Sequence, residues 1–278
     1  MGFALLALLG ASFWGIGDFF GGLASRRAHV LTVLVLSQAA GLIGAATWVL
    51  VSGEGRPSVG DLWPAAVAGA TAAIGLCALY RGMAIGAMGI VAPISAASPL
   101  VPLAVDAGRG IVPGALQWLG IAVVLTGIVL VAREPRGTGS PGLAAGVALA
   151  LVAALGFGLF VVGLDAASED SVPWTILVVR MTATALALVA ALVVSAPLRP
   201  PARLLPMILA VGAFDTLANV FVAFATTWGP AGIVAVLSAL YPVTTVLLAR
   251  VVLGERLDRE RRIGGALAIG GAAAVAVG

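Results

Sequence analysis

Apolar residues run almost without interruption along this chain, in long segments separated by short polar breaks. A helix that crosses a bilayer needs about 20 mostly apolar residues, because each residue adds only about 1.5 Å to its length. Ten segments reach that length, and Gly, Pro and charged residues cluster in the breaks between them, where helices end. The predicted helices cover residues 3–22, 30–52, 62–84, 88–108, 113–132, 142–164, 172–195, 204–228, 230–252 and 262–278.

The segment from Gly229 to Gly271 repeats the plan of the segment from Gly86 to Gly127, at an offset of 143 residues. At that offset Gly89-Ile90-Val91-Ala92 matches Gly232-Ile233-Val234-Ala235, Ser95-Ala96 matches Ser238-Ala239, and Pro99 matches Pro242. The offset is close to half of the 278 residues, so the pattern predicts an internal duplication, with one repeat over residues 1–137 and the other over residues 138–278. Because each half has five helices, the second half would cross the membrane in the opposite direction. This predicts an all-α membrane fold of two inverted repeats, with a site between them.

The composition supports a membrane protein and excludes several kinds of chemistry. Hydrophobic residues make up 61% of the chain and charged residues 10%, whereas soluble proteins carry about 25% charged residues. All fifteen basic residues are Arg, which excludes a phosphate-binding P-loop lysine and Schiff-base chemistry. With one Cys and one His, no metal site or cofactor is predicted. Most of the Arg residues lie in short breaks, so the basic charge does not indicate nucleic acid.

The distribution of Arg predicts the orientation in the membrane. The breaks on the side away from the N-terminus hold eleven of them: Arg26, Arg27, Arg81, Arg133, Arg136, Arg199, Arg203, Arg256, Arg259, Arg261 and Arg262. The N-terminal side holds only Arg56 and Arg109. Since cytoplasmic loops are enriched in basic residues, both termini are predicted to face outward. The expected location is the bacterial inner (plasma) membrane.

Several motifs resemble those of the drug/metabolite transporter superfamily, EamA-like family. The motifs are Pro-Ala-Gly-x-x-Ala-x-x-Ser-x-x-x-Pro at residues 230–242, Gly254-Glu255-Arg256-Leu257, Gly264, Trp14-Gly15, and Leu116-Gln117-Trp118-Leu119-Gly120. The chain departs from the family pattern at Ile111, where a Glu is usual, and at Arg261, where a Gln is usual. The resemblance implies ten helices and the export or import of small metabolites.

Ionisable residues inside membrane helices are costly, so Arg180 and Asp215 are candidates for a substrate site. Arg180 and Asn219 lie at similar depths, about 12–14 Å from the N-terminal side for Arg180, and Asp215 is one turn from Asn219. We therefore expect Arg180 to meet Asp215 or Asn219. One interpretation is that Arg180 binds an anionic substrate group, and the other is that an ion pair locks the seventh and eighth helices.

Pro99 and Pro242 lie inside apolar segments, at matched positions in the two halves. Each lacks the N–H that would bond the carbonyl four residues earlier, in Ser95 and Ser238 respectively. Ser98 and Tyr241 share those helix faces. The pattern favours broken helices that line a cavity, while an ordinary kink is the alternative for either proline alone.

Trp14, Asp18 and Gln38 form a third group of candidates. Asp18 could carry a proton or cap the membrane interface near Arg26 and Arg27, and the cap is the favoured interpretation. Aromatic residues make up only 6% of the chain, which disfavours an aromatic cage for a flat cation.

The sequence therefore predicts a secondary transporter that moves a small polar or amphipathic metabolite, such as an amino acid or other carboxylate, by alternating access. The protein would act as a monomer or homodimer, without ATP and with protons as one candidate coupling ion. The alternative is an intramembrane aspartyl protease using Asp18 and Asp215, suggested by Gly15-Ile16-Gly17-Asp18. The Tyr-Asp motif of those proteases is absent, so no catalytic residue and no enzymatic activity are predicted.

Overall fold

A computed structural model describes residues 1–84, 94–132, 143–254 and 259–278. Within these ranges the regular secondary structure is entirely helical. The α-helices are α1 (Gly2–Ser25), α2 (Val30–Ser52), α3 (Val59–Ala84), α4 (Leu100–Gly108), α5 (Ala115–Ala132), α6 (Leu143–Ser168), α7 (Val172–Val193), α8 (Leu205–Trp228), α9 (Ala231–Ser238), α10 (Tyr241–Leu253) and α11 (Arg259–Val277). A 3₁₀ turn, Ala202–Leu204, precedes α8.

Residues in the polar breaks satisfy the backbone groups that helix ends leave free. His29 precedes α2 and accepts the N–H of Leu31 on its side chain. Gly53 ends α2 in the left-handed conformation, with φ of 65°, which a residue without a Cβ adopts at little cost. Ser171 caps α7 by accepting the N–H of Trp174. These three breaks in the sequence are therefore helix boundaries.

The described helices confirm the predicted fold, an all-α integral membrane protein with ten membrane segments in two five-helix inverted repeats. Seven helical segments are long and apolar enough to cross a membrane, and two shorter apolar helices cover Ala115–Val131 and Arg262–Val277. The fourth predicted segment contains α4, and its beginning lies outside the described residues, as does the predicted boundary at residues 137 and 138.

The ninth predicted segment is two helices rather than one. α9 ends at Ser238 and α10 begins at Tyr241, where Pro242 occupies the first turn and its missing N–H removes no bond within α10. In the fourth segment, Pro99 stands just before α4 in the same way. Both prolines therefore begin the second part of an interrupted segment.

Helices of the first half pack on helices of the second half, and the pattern of contacts is symmetric: it stays the same when the two halves are exchanged. α1 packs on α8 as α3 packs on α6, while α2 packs on α7, α4 on α9, and α5 on α11. Close backbone approach brings α1 against α10, a further contact between the halves, and α5 against α11. A Cβ on Gly15 would lie 2.6 Å from the Tyr241 carbonyl oxygen, and one on Gly127 would lie 2.5 Å from the backbone nitrogen of Ala268. The core therefore lies between the halves, and any cavity in it is bounded by both.

Candidate functional site

A cavity of about 920 Å³ lies between the two halves. The residues of α1 that line it begin at Trp14 and end at Ser25, and those of α2 run from Val30 to Gln38. Its other walls include the C-terminal half of α3, the middle and C-terminal part of α7, and the N-terminal part and middle of α8. All these helix parts lie toward the α1–α2 turn, and two lining residues near that turn, Gly22 and Val30, are exposed. The accessible end of the cavity is therefore on the side that carries Arg26 and Arg27.

Polar contacts between the two halves close the opposite end. Asp106, at the end of α4, accepts the backbone N–H of Gly232 in the first turn of α9 at 2.7 Å. Arg109 forms an ion pair of 3.0 Å with Asp165 near the end of α6. A carboxylate at a helix N-terminus is favourably placed, and Asp106 is 3% exposed. This closure was not predicted from the sequence, although Arg109 and Asp165, which have opposite charges, lie in or near breaks on the same side of the membrane.

Arg180 lies in the cavity wall and is 1% exposed. Its Nη1 donates to Oδ2 of Asp215 at 2.5 Å and to Oε1 of Gln38 at 2.6 Å. Asp215 is thus one of the two partners expected for Arg180, and Gln38 adds a third helix to the group. Nε and Nη2 of Arg180 have no hydrogen-bond partner within the part of the chain that the structure describes. These two N–H groups form the edge that binds a carboxylate in a bidentate manner.

Asn219, the other expected partner, contacts a different residue. Its Oδ1 accepts the indole N–H of Trp14 at 2.9 Å, which fixes the ring of Trp14 in the cavity wall. The Trp14 ring centre lies 6.2 Å from that of Phe160 and 6.5 Å from that of Tyr241. With Phe157, these rings gather four aromatic side chains around one cavity. The low aromatic content of the whole chain therefore did not predict how many aromatic residues line the cavity. Phe157 and Phe160 were not among the predicted site residues.

Asp18 faces the cavity, one turn after Trp14, and its side chain is exposed there. The ion pairs of the described residues do not include it. The favoured interpretation of Asp18 as an interfacial cap near Arg26 and Arg27 stays a prediction. Its position in the cavity wall also exposes the carboxyl group to a ligand there.

The interrupted segments bring their polar residues to the same cavity. Ser98, Pro99, Ser238, Tyr241 and Pro242 all line it, and the hydroxyl of Ser238 has no hydrogen-bond partner among the described residues. Ser95, the remaining predicted site residue, is buried behind this surface. Its carbonyl accepts the N–H of Ser98 at 3.1 Å, so the prediction of a free carbonyl before Pro99 is wrong.

Two of the three comparisons with known proteins support a membrane transporter, and the third shows the fold alone. The model of the EamA-like transporter family matches residues 1–133 and 144–277. A probable terminal-alkyne amino-acid exporter of Streptantibioticus cattleyicolor is 42% identical over 99 residues, which are 35% of this chain and 33% of the exporter. The match thus spans about a third of that relative. A crystal structure of a protein aligns over 99% of this chain and 96% of the other with a TM-score of 0.80, and at 19% identity it shows the fold alone.

These matches do not support the alternative of an aspartyl protease. Asp18 and Asp215 share the cavity, but Asp215 is held by Arg180 instead of forming a carboxyl pair that shares one proton with Asp18.

Proposed function

The chain belongs to the EamA-like transporter family, and on that premise we propose that it is a secondary transporter that exports a small carboxylate-bearing metabolite, such as an amino acid, by alternating access. The observation that carries the proposal is the cavity between the halves, which is open at one end and closed at the other. A site of this kind, reached from one side at a time, is what alternating access requires.

The polar contacts that close one end join residues of different halves. Asp106 and Arg109 belong to the first half, and their partners Gly232 and Asp165 belong to the second. Rotation of one half against the other would separate these pairs and open that end. The cost of breaking two such contacts is on the order of 2–4 kcal/mol, an amount that substrate binding can offset.

Arg180 supports a carboxylate as part of the substrate. Its Nε and Nη2 groups are buried without a partner among the described residues, and two parallel N–H bonds to a carboxylate would satisfy both. The apolar walls from α3 and α7 suit the rest of an amphipathic molecule. The partial match to an amino-acid exporter supports the same substrate class.

The open end gives the direction of transport that we propose. It lies on the arginine-rich side, which the positive-inside rule assigns to the cytoplasm, so the cavity would load from the cell interior in the plasma membrane of a bacterium. Transport would be driven by an ion gradient, with protons as the first ion to test, and both termini would face outward.

Reconstituted protein tests the proposal. Purified full-length chain in liposomes should exchange labelled leucine, or another member of a pool of amino acids and small carboxylates, faster than protein-free liposomes. Arg180→Lys keeps the charge but loses the planar pair of donors, so it should retain folding and lose most of the exchange. Exchange of no member of the pool by folded wild-type protein would contradict the proposal.

A further inference from the structure

The charges in the cavity do not balance. Three described lining residues have side chains of the charged types, namely Asp18, Arg180 and Asp215. Arg180 and Asp215 pair with each other at 2.5 Å, which leaves the carboxyl group of Asp18 without a basic partner among the described residues. Asp18 is also the most accessible of the three, since Arg180 is almost fully buried. A carboxylate inside the membrane without a positive partner is costly, so a cation is expected to complete this site.

The surroundings of Asp18 favour an organic cation. The ring of Trp14 lies one helical turn before it on the same face, and Tyr241 meets that ring edge to face at 6.5 Å. Aromatic faces attract ammonium groups, and a desolvated cavity strengthens that attraction. A bare proton would gain nothing from these rings, whereas an ammonium on an apolar body would contact both the carboxylate and the aromatic wall.

The hydroxyl of Ser238, another polar group in the cavity wall, also lacks a partner among the described residues, and an ammonium group could supply one. The hydroxyl of Ser238 is 1% exposed and has no hydrogen-bond partner within the described ranges. Buried hydroxyls are rarely left unsatisfied in a folded protein. An ammonium carries three donors, so it can bond Asp18 and still donate to a hydroxyl oxygen.

Resting on the transport function above, we propose that Asp18, together with the ring of Trp14 and the hydroxyl of Ser238, binds the protonated amino group of the substrate. The substrate class is then a primary amine with an apolar body. For a zwitterionic amino acid, the carboxylate would contact the free edge of Arg180. Through Nη1, Arg180 also holds Asp215 and Gln38 in place.

Three probes that share the isobutyl side chain of leucine test the assignment: leucine, 3-methylbutylamine, which lacks the carboxylate, and 4-methylpentanoate, which lacks the amine. Their affinities would be measured by isothermal titration with purified full-length protein in detergent. Wild-type protein should bind both amine-bearing probes, and Asp18→Asn should weaken each of them at least tenfold, since Asn has the same shape without the charge. The affinity for 4-methylpentanoate should change less than twofold.

Two further variants separate binding from folding. Asp61→Asn removes a carboxylate that caps the start of α3 on the exposed surface, outside the cavity, and should leave all affinities unchanged. Asp18→Glu keeps the charge and should retain part of the amine affinity. If 3-methylbutylamine binds wild type and Asp18→Asn equally, or if neither amine-bearing probe binds wild type, the assignment is wrong.

Transport assays distinguish this inference from the proposed function. If Asp18→Asn abolished leucine uptake driven by a pH gradient but left amine affinity unchanged, Asp18 would be a proton carrier and the ammonium site would be refuted. Leucine exchange without any dependence on Asp18 would overturn the site and leave the transport function intact. Amine binding that depends on Asp18, in a protein that exchanges no metabolite, would retain the site and contradict the transport function.

Discussion

Asp215→Ala should destabilise the protein more than Arg180→Met, although both substitutions break the same ion pair. The two partners differ in exposure, because the side chain of Arg180 is 1% exposed and that of Asp215 is 32% exposed. Without Asp215, the guanidinium stays buried, and Gln38 is its one remaining side-chain partner among the described residues. Without Arg180, the carboxylate still faces the cavity, where water can solvate it.

The exposed fractions of the two side chains determine how much free energy of unfolding each substitution should cost. Removing one partner of a buried pair costs about 3–5 kcal/mol, and Asp215→Ala should fall in that range. Arg180→Met should cost about 1–2 kcal/mol, the lower part of the cost of leaving a polar group unsatisfied, since Met fills much of the volume of the arginine stem. The double variant should lie within about 1 kcal/mol of wild type, because an apolar replacement of a buried ion pair is often neutral.

Unfolding of the purified variants in detergent by increasing SDS would measure these differences, and leucine exchange in liposomes would measure function. Arg109→Met is a matched control, because it breaks the more exposed pair with Asp165 and should cost less than about 1 kcal/mol. We expect the double variant to fold and to fail at transport, since the free edge of Arg180 is lost.

Two results would refute this reasoning. Equal destabilisation by the two single substitutions, or a larger effect of Arg180→Met, would show that exposure does not determine the cost. A stable double variant with full exchange activity would show that Arg180 and Asp215 only lock α7 to α8.

Three other predictions concern opening and orientation. Pro242→Ala should change the unfolding free energy by less than about 1 kcal/mol, since this proline lies in a first turn. It should slow leucine exchange by allowing α9 and α10 to join; unchanged exchange would contradict this. Asp106→Asn should weaken the contact with Gly232 by about 1.4 kcal/mol, which corresponds to a tenfold change in the population of the outward-open form. In a Cys77→Ser background, a thiol reagent added at the outer face should therefore label Ser238→Cys about tenfold faster. A reporter fused after Gly278 should be active outside; cytoplasmic activity would reverse the orientation.

Most of the candidate site could be predicted because polar residues inside apolar segments are expensive and therefore face the interior. Eleven of the twelve predicted residues line the cavity, and Ser95 is buried behind it. The rule identifies candidates but not their partners. It could not show that Asn219 bonds Trp14 instead of Arg180, or that Arg180 also bonds Gln38.

The aromatic residues show the same limit. Their low content in the chain disfavoured an aromatic cage for a flat cation. In the structure, however, four aromatic residues from α1, α6 and α10 line one cavity: Trp14, Phe157, Phe160 and Tyr241. Composition counts residues over the whole chain, whereas recognition depends on those that meet in one place.

The sequence by itself determined the membrane setting, the approximate positions of the helices and the duplication into two halves. These features are local or repetitive, because hydrophobic length and helix-breaking residues act within a segment.

Only the tertiary structure decided which groups meet across helices and which end of the cavity is open. Arg180 and Gln38 are 142 residues apart, and Trp14 and Asn219 are 205 apart. In a bilayer, lipid and protein core are both apolar, so hydrophobic periodicity does not mark the face that packs. Close backbone contacts, such as that of Gly15 with Tyr241, decide it instead.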